Sequence, residues 1–172
     1  MCKLSKYIKN TIIVFFTIFT FTGICGAGSL KWQKMPLLVC LPPNANTPIM
    51  KEAFTNGQKA TKDKVSFVFL TANSCPDAQI TVSYTANKTK SKTTFIYSRG
   101  YFQKSHIEIG LLTKDGKQAE KSVLLPLMMH EAGHAIGIIG HSNTPSSVMQ
   151  ATVKSGYYIT EDSIRQINNL YR

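Results

Sequence analysis

Apolar and polar positions fall into short, separable runs along the chain. Leu37 to Leu41 (LLVCL) is continuously apolar and stops at Pro42-Pro43, the pattern of a buried strand. Thr47-Pro48 then offers an N-cap followed by proline at the first helical position. Ile49, Met50, Ala53, Phe54, Gly57 and Ala60 recur on one helical face, so a helix is expected to end near Asp63. Val65 to Thr71 is rich in β-branched and aromatic residues and reads as a second strand. After the turn formers Asn73 to Asp77, Gln79 to Tyr84 alternates as a third. Thr85 to Lys92 is polar and basic, Thr93 to Ser98 and His106 to Thr113 are further strands, and Asp115-Gly116 is a turn. A helix is expected from about Ser122 to Gly137. Pro126 would remove one of its backbone bonds and move its start toward Leu125. The last helix spans about Thr160 to Tyr171, with Thr160 as N-cap and Glu161 and Asp162 suiting its dipole. Ile164, Ile167, Leu170 and Tyr171 form its apolar face. The order strand, helix, several strands, two helices describes one α+β domain.

The start of the chain has a different pattern. Lys3, Lys6 and Lys9 lie in a first stretch without acids, residues 11–24 are apolar or small, and Cys25-Gly26-Ala27-Gly28 are small. This describes a secretory signal peptide over residues 1–27, cleaved after Ala27, with the domain occupying 28–172. An uncleaved anchor and a lipid-bearing Cys25 are the alternatives, although Ile24 is bulky for the latter. The expectation is a secreted or periplasmic protein with no stable membrane insertion once the leader is gone.

Composition changes this picture in two places. An apolar fraction of 43% in 172 residues excludes wholesale disorder. A net charge of +11 would by itself suggest nucleic acid or an anionic surface. The leader carries three of those charges, however, which leaves 17 basic against 9 acidic residues. The cluster Lys88, Lys90 and Lys92, with Lys104 further on, lacks the interleaved aromatics of nucleic-acid grooves and reads as a solvated loop. No nucleic-acid partner is expected, and the chain is read as a monomer. Cys40 and Cys75 outlast the leader, as a disulfide or as two buried thiols.

The chemistry is concentrated in one stretch. Three of the four histidines lie between His130 and His141. His130 and His134 are four apart on an expected helix, so both imidazoles leave one face and can meet one zinc ion. Glu131 follows the first of them and can reach an open coordination position. Gly137 can end the helix in the left-handed conformation, and the chain can then return His141 to the metal. Three neutral ligands and one open position suit hydrolysis by a metal-activated water with Glu131 as general base.

This stretch resembles the metzincin pattern HExxHxxGxxH followed by a Met-turn, and within that clan the bacterial matrixin-like metalloproteases. The first eight positions match from His130 through Gly137. The third histidine falls one residue late, because Gly140 stands in its place, and Ile138-Ile139 would absorb the extra residue. Gly140-His141-Ser142 and Ser147-Val148-Met149 are similar to the end of the bacterial motif, with Met149 as the Met-turn methionine. Trp32 to Leu41 and Ile159 to Tyr171 look like the family's first strand and closing helix.

The resemblance implies a metzincin-like catalytic domain. It would have a twisted, mostly parallel sheet of about five strands, an antiparallel edge strand, an active-site helix and a C-terminal helix. It implies a zinc endopeptidase acting on a protein or peptide substrate, with one catalytic Zn2+ held by His130, His134 and His141. His106 to Thr113 would be the cleft edge that binds an extended peptide, with His106 flanking it. No propeptide with a cysteine switch is expected before the domain, too few histidines remain for a structural zinc, and Asp115-Gly116 is too little to claim calcium. The late His141 keeps a second expectation open: a zinc-retaining but non-proteolytic binding module, an inhibitor or adhesin.

Overall fold

The computed structural model describes residues 30–172; the leader expected over 1–27 lies outside them. Five strands form one mixed sheet: β1 (Leu37–Leu41), β2 (Phe67–Thr71), β3 (Ile80–Thr85), β4 (Lys92–Ser98) and β5 (Tyr101–Gly110). Their spatial order is β2-β1-β3-β5-β4. The pairs β1-β2, β1-β3 and β3-β5 are parallel, and only β4 runs antiparallel, against β5. Three helices complete the domain: α1 (Thr47–Ala60), α2 (Lys121–Ala135) and α3 (Glu161–Leu170). The expected α+β architecture, mostly parallel with one antiparallel edge, is what the chain adopts. Among the described residues no helix is long and apolar enough to cross a membrane.

The core follows from the alternation of the strands. Ile80 and Val82 of β3 and Ile107 and Ile109 of β5 are buried on the face that meets Met50, Phe54, Leu124 and Met128 of α1 and α2. Phe54 packs against Phe67 and Phe69 with ring centroids 4.7 and 6.1 Å apart. Cys40 and Cys75 form a disulfide, with Cα atoms 5.8 Å apart, that ties β1 to the loop before β3. The C-terminal end of α2 is held from two sides. Trp32 Nε1 donates to Ala135 O at 2.8 Å, taking one of the carbonyls a helix C-terminus leaves without a partner. Tyr171 Oη donates to Ile136 O at 2.7 Å and accepts from Trp32 N.

Several local expectations are corrected. His106 to Thr113 is not the sheet edge. Arg99 and Gly100, both at positive φ, turn β4 back onto β5, so β5 lies between β3 and β4 and the edge on that side is β4. Nor does His106 flank the cleft: its ring nitrogens lie 2.8 and 3.0 Å from the Thr81 and Ser83 hydroxyls. Its neighbour Ile107 is fully buried on the helix side, so alternation puts His106 on the opposite face. Helix α2 starts at Lys121 rather than near Leu125, with Pro126 inside it. Ser122, whose carbonyl loses its helical partner to Pro126, is exposed and open to water. The N-cap of α1 is Asn46, while the Thr47 hydroxyl donates to Pro42 O at 2.7 Å. Thr160 is the N-cap of α3, but its hydroxyl meets those of Ser147 and Ser163 instead of the backbone. In the basic segment, Lys88 and Lys92 both pair with Glu108.

Gly57 offers a test of the packing. It lies inside α1 and lines a small apolar cavity with Phe54, Met129 and Met149, and a Cβ there would meet no atom within 4 Å. Gly57→Ala is expected to stabilise the domain by about 0.5–1 kcal/mol through helix propensity and the entropy of the unfolded chain. Thermal unfolding reads this as a raised midpoint; a lowered one would mean the site is already filled.

Candidate metal centre

Helix α2 carries His130, Glu131 and His134 into the interior. His130 and Glu131 are buried and His134 half-buried, whereas His141 is exposed. The helix ends in a Schellman turn. Gly137 N donates to His134 O at 3.0 Å and Ile138 N to Gly133 O at 3.0 Å, with Gly137 at φ +118°. A side chain at Gly137 would also strike Leu170. Beyond this turn Ile138 is buried but Ile139 is 51% exposed. The chain nevertheless returns His141 to the other two rings.

The three imidazoles gather closely. Ring centroids are 4.5 Å apart for His130 and His134, 5.3 Å for His130 and His141, and 5.2 Å for His134 and His141. One nitrogen from each lies within 4.8 Å of the other two. His130 Nδ1 is 2.6 Å from Val148 O and His134 Nδ1 is 2.5 Å from Ile138 O. A carbonyl can only accept, so each Nδ1 carries the proton and each Nε2 presents a lone pair. Those two Nε2 atoms face each other at 3.0 Å. Two acceptors at that distance repel unless a cation lies between them. Tetrahedral zinc with Zn–N of about 2.0–2.1 Å would set them about 3.3 Å apart, so the donor set fits such an ion. Burial, reinforced by the neighbouring imidazole of His134, lowers the His130 pKa to about 4. Burial lowers that of His134 as well. Both rings are then neutral at pH 7, the form that binds metal.

Glu131 is hydrogen-bonded to β4. Its Oε2 accepts from Thr93 Oγ1 at 2.6 Å, and its backbone O lies 3.0 Å from the same hydroxyl. Burial raises the carboxyl pKa, and the Thr93 hydrogen bond opposes that rise. Met149 is buried beneath the helix, and a Cβ on Gly133 would collide with its Sδ, so glycine is what lets the two approach. Met149 O accepts from Ser142 N at 2.7 Å, which ties the loop after His141 to this floor.

The structure thus brings together His130, His134 and His141, with Glu131 beside them and Met149 below. Sequence reasoning missed Thr93 and the carbonyls of Ile138 and Val148. Backbone acceptors have no residue signature, and Thr93 is one threonine among many on strands. No curated protein matches the chain. The family model for matrixin matches residues 28–172. Together with the histidine cluster, that match over most of the chain shows that the protein belongs to the matrixin family and has a zinc metalloprotease kind of function.

Proposed function

We propose that the protein is a secreted zinc endopeptidase that cleaves protein or peptide substrates, with Glu131 as its general base. The observation that carries the reading is the pair of Nε2 lone pairs facing each other at 3.0 Å, each fixed by a carbonyl behind its ring. His130, His134 and His141 would hold the ion. Bound zinc supplies Lewis acidity, lowering the pKa of water and polarising a carbonyl. Glu131 accepts the proton of the attacking water on its carboxylate and passes it to the leaving amine. Burial raises its carboxyl pKa, which suits a group that must take up a proton and pass it on. The free edge of β4 supports docking of an extended substrate by strand addition. Met149 supports the floor of the site by packing against Gly133.

The reading of residues 1–27 as a cleaved leader and of 28–172 as the mature domain is part of the same proposal. The Cys40–Cys75 bridge supports an oxidising compartment, either a periplasm or the exterior. Against the non-proteolytic alternative, the late His141 still stands with its ring 5.3 Å from that of His130, which supports three-histidine ligation. Casein digestion with and without 1,10-phenanthroline tests the function. Cleavage is expected to stop on chelation and to return with added zinc. Cleavage indifferent to the chelator, or zinc-loaded protein inert on a broad peptide library, would overturn the reading.

A further inference from the structure

We infer that Thr93 is a positioning residue for Glu131, so that the edge strand sets the aim of the base. The inference rests on the general-base reading of Glu131. Thr93 is the second residue of β4, and its partner on β5 is Ile107, which is fully buried on the helix side. Adjacent residues of the two strands share a face, so Thr93 also turns toward α2. There its Oγ1 lies 2.6 Å from Glu131 Oε2 and 3.0 Å from Glu131 O.

A hydroxyl has one proton and two lone pairs. While the carboxylate is charged, the Thr93 proton goes to Oε2 in a charge-assisted bond. Once Oε1 has taken the proton of the water, Oε2 is a carbonyl oxygen and still accepts from Thr93. One side chain thereby holds the carboxyl in both states that a proton-relaying base passes through, and it engages Oε2 while leaving Oε1 for the water. The strand itself does not need this hydroxyl. Valine has the same shape and at least equal strand preference, so a purely structural role predicts that Thr93→Val is tolerated. β4 is also the edge against which an extended substrate would lie, which puts the base and the substrate backbone in the same frame.

The test compares Thr93→Val and Thr93→Ser in zinc-loaded protein, with Glu131→Gln as reference. Thr93→Val is expected to lower kcat about 10- to 100-fold, the usual effect of losing a group that orients an active one, with KM and zinc content unchanged. Thr93→Ser is expected to restore kcat. The crystal structure of Thr93→Val is expected to show the Glu131 carboxyl displaced from β4. Wild-type kcat in Thr93→Val beside an inactive Glu131→Gln would overturn the inference, as would an unmoved carboxyl in that crystal structure. Activity retained by Glu131→Gln would instead remove the general-base reading, and the carboxyl position in Thr93→Val would still decide whether Thr93 holds it. Should Thr93→Val fail to fold, Thr93→Ala against Thr93→Ser makes the same comparison.

Discussion

Replacing Glu131 with glutamine is expected to abolish peptide-bond hydrolysis while zinc content stays at the wild-type level. Glutamine keeps the shape of the side chain and an oxygen for Thr93 to donate to, so the geometry around Oε2 survives. What it loses is the capacity to take a proton. A positioned general base contributes about 10²- to 10⁴-fold to rate, and the fall in kcat should lie in that range or beyond. His130, His134 and His141 are untouched, so metal analysis of the variant should match wild type.

Stability should move the other way. Burial raises the Glu131 pKa, so the folded state holds the proton more tightly than the unfolded chain does. Stability therefore falls as pH rises past the unfolded value, and the charged carboxylate is a cost to the metal-free fold at neutral pH. An uncharged amide removes that cost. Metal-free Glu131→Gln should unfold at the same temperature as wild type or higher, in the manner of active-site groups held at the expense of stability. Full activity in this variant would refute the role; lost activity with lost zinc would show that the side chain serves the metal instead.

Much of this site was legible because its key relation is local. Two histidines four apart on one helix must share a face, and a glutamate beside the first needs no long-range information to be placed. The strands were legible for the same reason, since apolar alternation survives whatever the strand pairs with. Which strand forms the edge was not legible. β4 and β5 are both short alternating runs, and their order depends on a turn at Arg99-Gly100 and on pairing with β3 far back in the chain. Thr93 is a consequence of that order, because only an edge strand running antiparallel to β5 brings it over Glu131. The start of α2 was not legible, because Pro126 breaks one helical bond but the exposed Ser122 carbonyl it frees is open to water. The disulfide needed a distance, since an even pair of cysteines suits a bridge but also two thiols until their Cα atoms are known to be 5.8 Å apart.

His141→Ala is expected to lower zinc affinity by about 10²- to 10⁴-fold while leaving the fold intact. The magnitude follows from sharing: zinc sites in small domains bind with about 10–16 kcal/mol, and a third of that is about 3–5 kcal/mol. The fold should survive because His141 is an exposed residue in a loop whose anchors lie elsewhere, at Gly137 and at the bond from Ser142 N to Met149 O. The spacing is what makes the result informative. With Gly140 at the usual ligand position, a loop of ordinary length would offer the metal no side chain there. The longer loop instead brings the His141 ring into place, stacked 5.3 Å from His130 at an interplanar angle of 13°. Competition titration against a zinc chelator measures the affinity, and circular dichroism checks the fold. Equal, tight zinc in His141→Ala and wild type would take His141 out of the ligand set and leave two helix imidazoles to hold the ion. Deleting the exposed Ile139 gives the converse case: it moves His141 to the ordinary spacing and should keep zinc bound.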